Sequence, residues 1–172
     1  MKHRFRLLLI AAALTASCAS PALAVTKIAV FGFELVDTSL DGQFKGKNLD
    51  EQRRLAALKP RVEAFFAGEG DIRPVDTTPV QKAAEAQNLQ ACGGCDLKLA
   101  HNVGAALSLT GTVQKISNLI LNINMVVRDV ATGRVVAAGN ADIRSNSDAS
   151  WFRGVDWLLR NRIAQQLARR RP

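Results

Sequence analysis

The run Leu119-Ile-Leu-Asn-Ile-Asn-Met-Val-Val-Arg128 repeats with a period of two: Leu119, Leu121, Ile123, Met125 and Val127 fall on one side, and Asn122, Asn124 and Arg128 on the other. Only an extended strand separates side chains in this way, so the run predicts a sheet with one buried face and one wet face. Ala105–Ile116 alternates too, and Ser117-Asn118 supplies the turn between the two segments. Beyond them, Asp129-Val-Ala-Thr-Gly-Arg134 reads as a hairpin turn with Gly133 suited to a positive φ, and Val135–Ile143 returns as the partner strand. The second half of the chain is therefore built on a three-strand meander.

The remaining elements are arranged around it. Lys27–Val36 is apolar on both faces, as in a strand covered on each side. Asp37–Lys47 reads as a Gly-rich polar loop. Asn48 with Glu51 three residues later forms a capping box, followed by Leu55, Leu58, Val62 and Phe65 at helical spacing, with a kink or break expected at Pro60. Asp71–Asp76 reads as a short strand placed near an edge, because Pro74 has no N–H for a ladder. Thr78-Pro79 with Gln81 opens a second helix, Asp96 is expected to cap a third through Leu97, Ala100 and Val103, and Phe152, Val155, Leu159 and Ile163 mark the apolar stripe of a last one. Trp151 is expected in the core or at the helix start, and Trp157 beside the stripe and partly exposed. The predicted fold is a single α/β (α+β) domain with element order β-α-β-α-α-β-β-β-α, in which helices pack on a mixed sheet.

The compartment is read from residues 1–24. Lys2, Arg4 and Arg6 precede the apolar stretch Leu7–Ala16 and the small-x-small site Ala22-Leu23-Ala24, the pattern of a secretory signal peptide. Thr15-Ala-Ser-Cys18 resembles a lipobox, but Thr15 stands where an aliphatic residue normally opens one, so lipidation at Cys18 is the less favoured alternative. Residues 25–172 are then one globular domain exported to the periplasm. The leader holds three of the 23 basic residues and none of the 15 acidic ones, which leaves the exported domain moderately basic. No later run is apolar for long enough to span a bilayer.

Asn88-Leu-Gln-Ala-Cys-Gly-Gly-Cys-Asp-Leu-Lys-Leu-Ala-His101 holds two of the three cysteines and one of the two histidines. Covalent haem attachment requires His directly after the second cysteine, where Asp96 stands. Cys92, Cys95 and His101 leave a tetrahedral metal one ligand short, so no metal and no cofactor are expected. A thiol-disulfide oxidoreductase using Cys92/Cys95 is the alternative class, since a helix starting near Asp96 lowers a thiol pKa. Against it, the preceding segment reads as a helix tail, and Gly93-Gly94 lacks the rigid residues usual between catalytic cysteines. In an oxidising compartment the favoured reading is a structural disulfide.

Glu34, Asp37 and Asp41 lie near the carboxyl end of the first strand, where open α/β sheets bind ligands, and form a candidate ligand-facing loop. A solvated loop is the plainer reading, because no nucleophile, paired base or phosphate-binding glycine motif accompanies them. The last helix carries Arg153, Arg160, Arg162, Arg169, Arg170 and Arg171 against Asp156. An exported chain without an aromatic stacking platform is not expected to bind nucleic acid.

Five stretches carry a resemblance: Val30-Phe-Gly-Phe-Glu-Leu-Val-Asp-Thr-Ser, Asn-Leu-Gln-Ala-Cys-Gly-Gly-Cys-Asp, Thr-Gly-Thr-Val-Gln-Lys-Ile-Ser-Asn-Leu-Ile-Leu-Asn-Ile-Asn, Val-Arg-Asp-Val-Ala-Thr-Gly and Ser-Trp-Phe-Arg-Gly-Val-Asp-Trp-Leu. Together they resemble a family of secreted Gram-negative proteins defined by a shared domain of unknown function. More distantly, the element order is similar to the amino-terminal domain of TolB and to the curli-secretion lipoproteins. The resemblance implies a non-enzymatic binding or envelope-assembly accessory role, with an envelope protein as partner.

Overall fold

The computed structural model describes residues 25–170. The signal-peptide reading, Cys18 and Arg171 lie outside the described residues. Strand β1 (Thr26–Asp37) is followed by helices α1 (Leu40–Lys45) and α2 (Leu49–Gly68) and by the short strand β2 (Ile72–Pro74). A 3-10 turn (Thr78–Val80) leads into α3 (Gln81–Glu85), and α4 (Cys95–Asn102) precedes the meander β3 (Leu107–Lys115), β4 (Ile120–Asp129) and β5 (Val135–Arg144). The chain then forms α5 (Asp148–Leu158), a π-helical turn (Leu159–Ile163) and α6 (Ala164–Ala168). The predicted single domain with a mixed sheet is observed, with α1 as an addition inside the expected polar loop.

The sheet order is β2-β1-β3-β4-β5, parallel on either side of β1 and antiparallel through the meander. The period-two reading of β4 holds: Leu121, Ile123, Met125 and Val127 are fully buried, while Asn122 and Asn124 lie on the other face. Leu119 precedes the strand and is exposed. The buried face receives α2 through Leu58, Val62 and Phe66, and the last helix through Trp151, Val155, Leu158, Leu159 and Ile163. Phe152 packs at the margin of this core, and Trp157 is exposed. On the opposite face, Ala29 and Phe31 of β1 meet Val80, Ala84, Leu89, Leu99 and Ala100, which form a second and smaller core.

Several local expectations are corrected. Helix α2 runs unbroken through Pro60, which sits on its exposed side, so the carbonyl of Ala56 that loses its donor faces water. Asn48 caps α2 by accepting from the N–H groups of Asp50 and Glu51, but the Glu51 side chain does not return to Asn48; it is buried against Lys115. Asp76, rather than Thr78, accepts from the backbone at the next turn. Asp96 is not a cap. Gly94, with φ of 111°, occupies that position, and Asp96 is buried, accepting from Ser108 Oγ at 2.9 Å and pairing with Arg128 at 3.1 Å. With Gly94 at the cap position, the buried Asp96 carboxylate makes charge-assisted bonds to a hydroxyl and a guanidinium instead.

Candidate binding site at the open sheet edge

Cys92 and Cys95 form a disulfide across two glycines, of which Gly93 also has a positive φ, and the pair opens α4. The Cys95 N–H donates to Cys92 Sγ at 3.2 Å. Both cysteines are half-buried, and His101 is exposed at the far end of the helix. Among the described residues, no group of three or more His, Cys, Asp or Glu side chains is gathered as a metal site.

The three carboxylates of the candidate loop have different partners. Glu34 accepts from the Leu89 N–H at 2.8 Å and lines a cavity of about 240 Å³ with Phe31, Phe33, Thr77 and Leu89. Asp37 accepts from Ser39 and pairs with Lys115 at 3.1 Å. Burial works against its charge, yet the Ser39 and Lys115 contacts outweigh it and hold its pKa below the usual value. Asp41 pairs with Lys45 and accepts from Asn118; the Lys45 contact lowers its pKa. Lys115 is buried between Asp37 and Glu51, the latter at 2.7 Å. Burial alone would lower its pKa, but its contacts with Glu51 and Asp37 prevail and raise it.

The larger concavity lies elsewhere, along β5. Ala138 turns its N–H and C=O away from β4, and the Gln166 amide accepts from one and donates to the other at 3.2 and 2.7 Å. Strand alternation makes Asn140, Asp142 and Arg144 turn their backbone groups outward as well. The Arg144 carbonyl accepts from Ser150 Oγ at 2.6 Å. Gln166 and Ser150 therefore finish the two ends of the edge and leave the backbone of Asn140 and Asp142 between them.

A groove of about 620 Å³ follows this window, lined by Asn140, Asp142, Arg144, Arg153 and Trp157. A second of about 560 Å³ shares Asp142, Ile143 and Arg144 and reaches the exposed Leu119 and Ile120. Gly139 lets the last helix approach: a Cβ there meets Leu158 Cδ1 at 2.9 Å and Arg162 Cβ at 3.0 Å. The π turn begins at this point and carries Arg162, whose guanidinium sits 5.6 Å from the Trp157 ring centre. Wide turns of this kind are frequent at functional sites. Trp157, Arg153 and Arg162 stand out in the sequence. Gln166, Ser150 and Arg144 carry no such signal, because their roles depend on which strand forms the edge.

Comparison with curated proteins finds no match. Among solved structures, the chain is similar to lipoprotein GNA1162 from Neisseria meningitidis, at 16% identity and a TM-score of 0.50 over 86% of this chain and 99% of that one. It is similar to the hypothetical protein CT253 from Chlamydia trachomatis, at 12% identity and a TM-score of 0.51 over 85% and 95%. TolB from Acinetobacter baumannii matches at 14% identity and a TM-score of 0.48, over 83% of this chain and 28% of that one. At these identities the likeness to GNA1162 and CT253 is one of fold. Residues 26–163 match the family DUF3280, described as a protein of unknown function (DUF2380), and the chain belongs to that family.

Proposed function

We propose that this protein is a non-enzymatic periplasmic binding module, exported by residues 1–24, that recruits an extended segment of an envelope partner along β5. The observation that carries the reading is the edge itself: side chains finish it at Ala138 and Arg144 and leave the backbone between them unpaired beside a groove. Unpaired strand edges are templates for strand addition, and flanking grooves read the alternate side chains of the added segment. The fold shared with a meningococcal lipoprotein supports an envelope setting. Cys92–Cys95 acts as a staple at the start of α4, and among the described residues no helix is long and apolar enough to cross a membrane.

The test is site-specific photocrosslinking in cells, with the probe at Asn140 or at Arg73 on the opposite edge, followed by mass spectrometry. A discrete adduct from position 140 and none from 73 is expected. Equal adducts from both positions, or none from 140, overturn the reading.

A further inference from the structure

We infer that the segment recruited by β5 is acidic, an inference that rests on the strand-addition reading above. Three guanidinium groups surround the open window. Arg144 extends from the strand, Arg153 lines the groove from α5 while its Nε donates to the Ala149 carbonyl, and Arg162 lies over Trp157. Among the described residues, none of the three has a carboxylate within ion-pair distance. The arginines of the neighbouring helix faces differ: Arg54 holds Asp148 at 2.6 Å and Arg61 holds Asp156 at 2.6 Å. The groove carboxylate, Asp142, already accepts from Asn122 at 2.6 Å.

The site thus offers net positive charge, three guanidinium groups against the one carboxylate of Asp142, around unpaired backbone, with an aromatic ring on the helix side and the exposed Leu119 and Ile120 at the Arg144 end. A second copy of the chain pairing through β5 would bring the same three arginines against their equivalents, so charge disfavours self-pairing. An extended segment that alternates acidic and aliphatic residues matches both faces of the edge: its carboxylates lie on the face of Arg144 and its aliphatic side chains on the face of Trp157, while Arg153 and Arg162 add positive charge from the helix side. Such pairing steers association and sets partner choice.

Two fluorescein-labelled decapeptides serve as probes, one alternating Asp and Val and the other alternating Lys and Val, measured by anisotropy against the purified chain. The Asp–Val peptide should bind at least about tenfold more tightly, with an affinity that falls as salt rises. Arg144→Glu with Arg153→Glu should reverse the preference, and Asp142→Pro, which removes an edge N–H, should abolish binding of the Asp–Val peptide. Circular dichroism of each variant establishes that it is folded. Equal binding of both peptides, lost together in Asp142→Pro, overturns the acidic preference while leaving strand addition standing. Binding of neither peptide, or binding unaffected by Asp142→Pro, overturns strand addition and the inference with it.

Discussion

The two faces of the sheet are closed by different means. One is sealed by α2 and the last helix, whose long apolar stripes bury a continuous core from Ile28 to Leu167. The other is covered by α3, the disulfide turn and α4, which shelter a smaller cluster around Phe31 and Leu99 and leave Asn122 and Asn124 outside it. Where helices are long, packing suffices. Where they are short, cross-links take over: a disulfide opens α4, Asp96 ties it to Ser108 and Arg128, and Glu34 holds Leu89.

The sharpest way to break this comparison is to excavate both cores. Leu159→Ala, at a fully buried position, should lower stability by about 2–5 kcal/mol in urea unfolding. Leu99→Ala in the smaller cluster should fall at or below the low end, about 2 kcal/mol. Equal losses would mean that the two faces are not energetically distinct.

Glu51→Ala should cost about 3 kcal/mol, because it leaves Lys115 buried with Asp37 alone. The same cluster sets a pH dependence. Asp37 is held below its ordinary 3.8, so its contribution is present above that value and lost as pH falls through the lower folded pKa. Lys115 is held above 10.5, so its contribution is present below that value and lost as pH rises through the higher one. Melting curves of Asp37→Asn against the parent chain should differ at neutral pH and converge in acid.

On the thinner face, changing Cys92 and Cys95 together to Ser should cost about 2 kcal/mol, since the loop they close is short. Cys95→Ser alone, expressed in the periplasm, should give no specific mixed disulfides on non-reducing gels; a ladder of adducts that depends on Cys92 would assign the pair to exchange chemistry. Arg170→Ala, on an exposed helix end, should change the melting temperature least, within about 0.5 kcal/mol of stability.

Periodicity makes the meander legible, because burial on one face of β4 is written directly into alternate positions. It also locates Val155, Leu159 and Ile163. The sequence is silent where a side chain's role depends on a distant partner. Asp96 has the position of a cap and is an ion partner of Arg128; Glu51 has the position of a box residue and is an ion partner of Lys115. Helix α1 escapes a periodic reading because its six residues carry no apolar period, although Ser39 caps it by accepting from the Gly42 N–H. The open edge is legible only as a strand, since neither Gln166 nor Ser150 announces which backbone it will finish.

The position of β1 has a consequence for how the chain assembles. Ile28 lies opposite Leu107 and Ala29 opposite Ser108, whereas the pairs of β3, β4 and β5 join neighbours in sequence. Closing the first set costs more chain entropy than closing the second, so the meander can form before β1 inserts between β2 and β3. Until it does, β3 is a bare edge rich in leucine and threonine, and it is there, rather than at β5, that a slow-folding molecule is most open to pairing with the wrong chain.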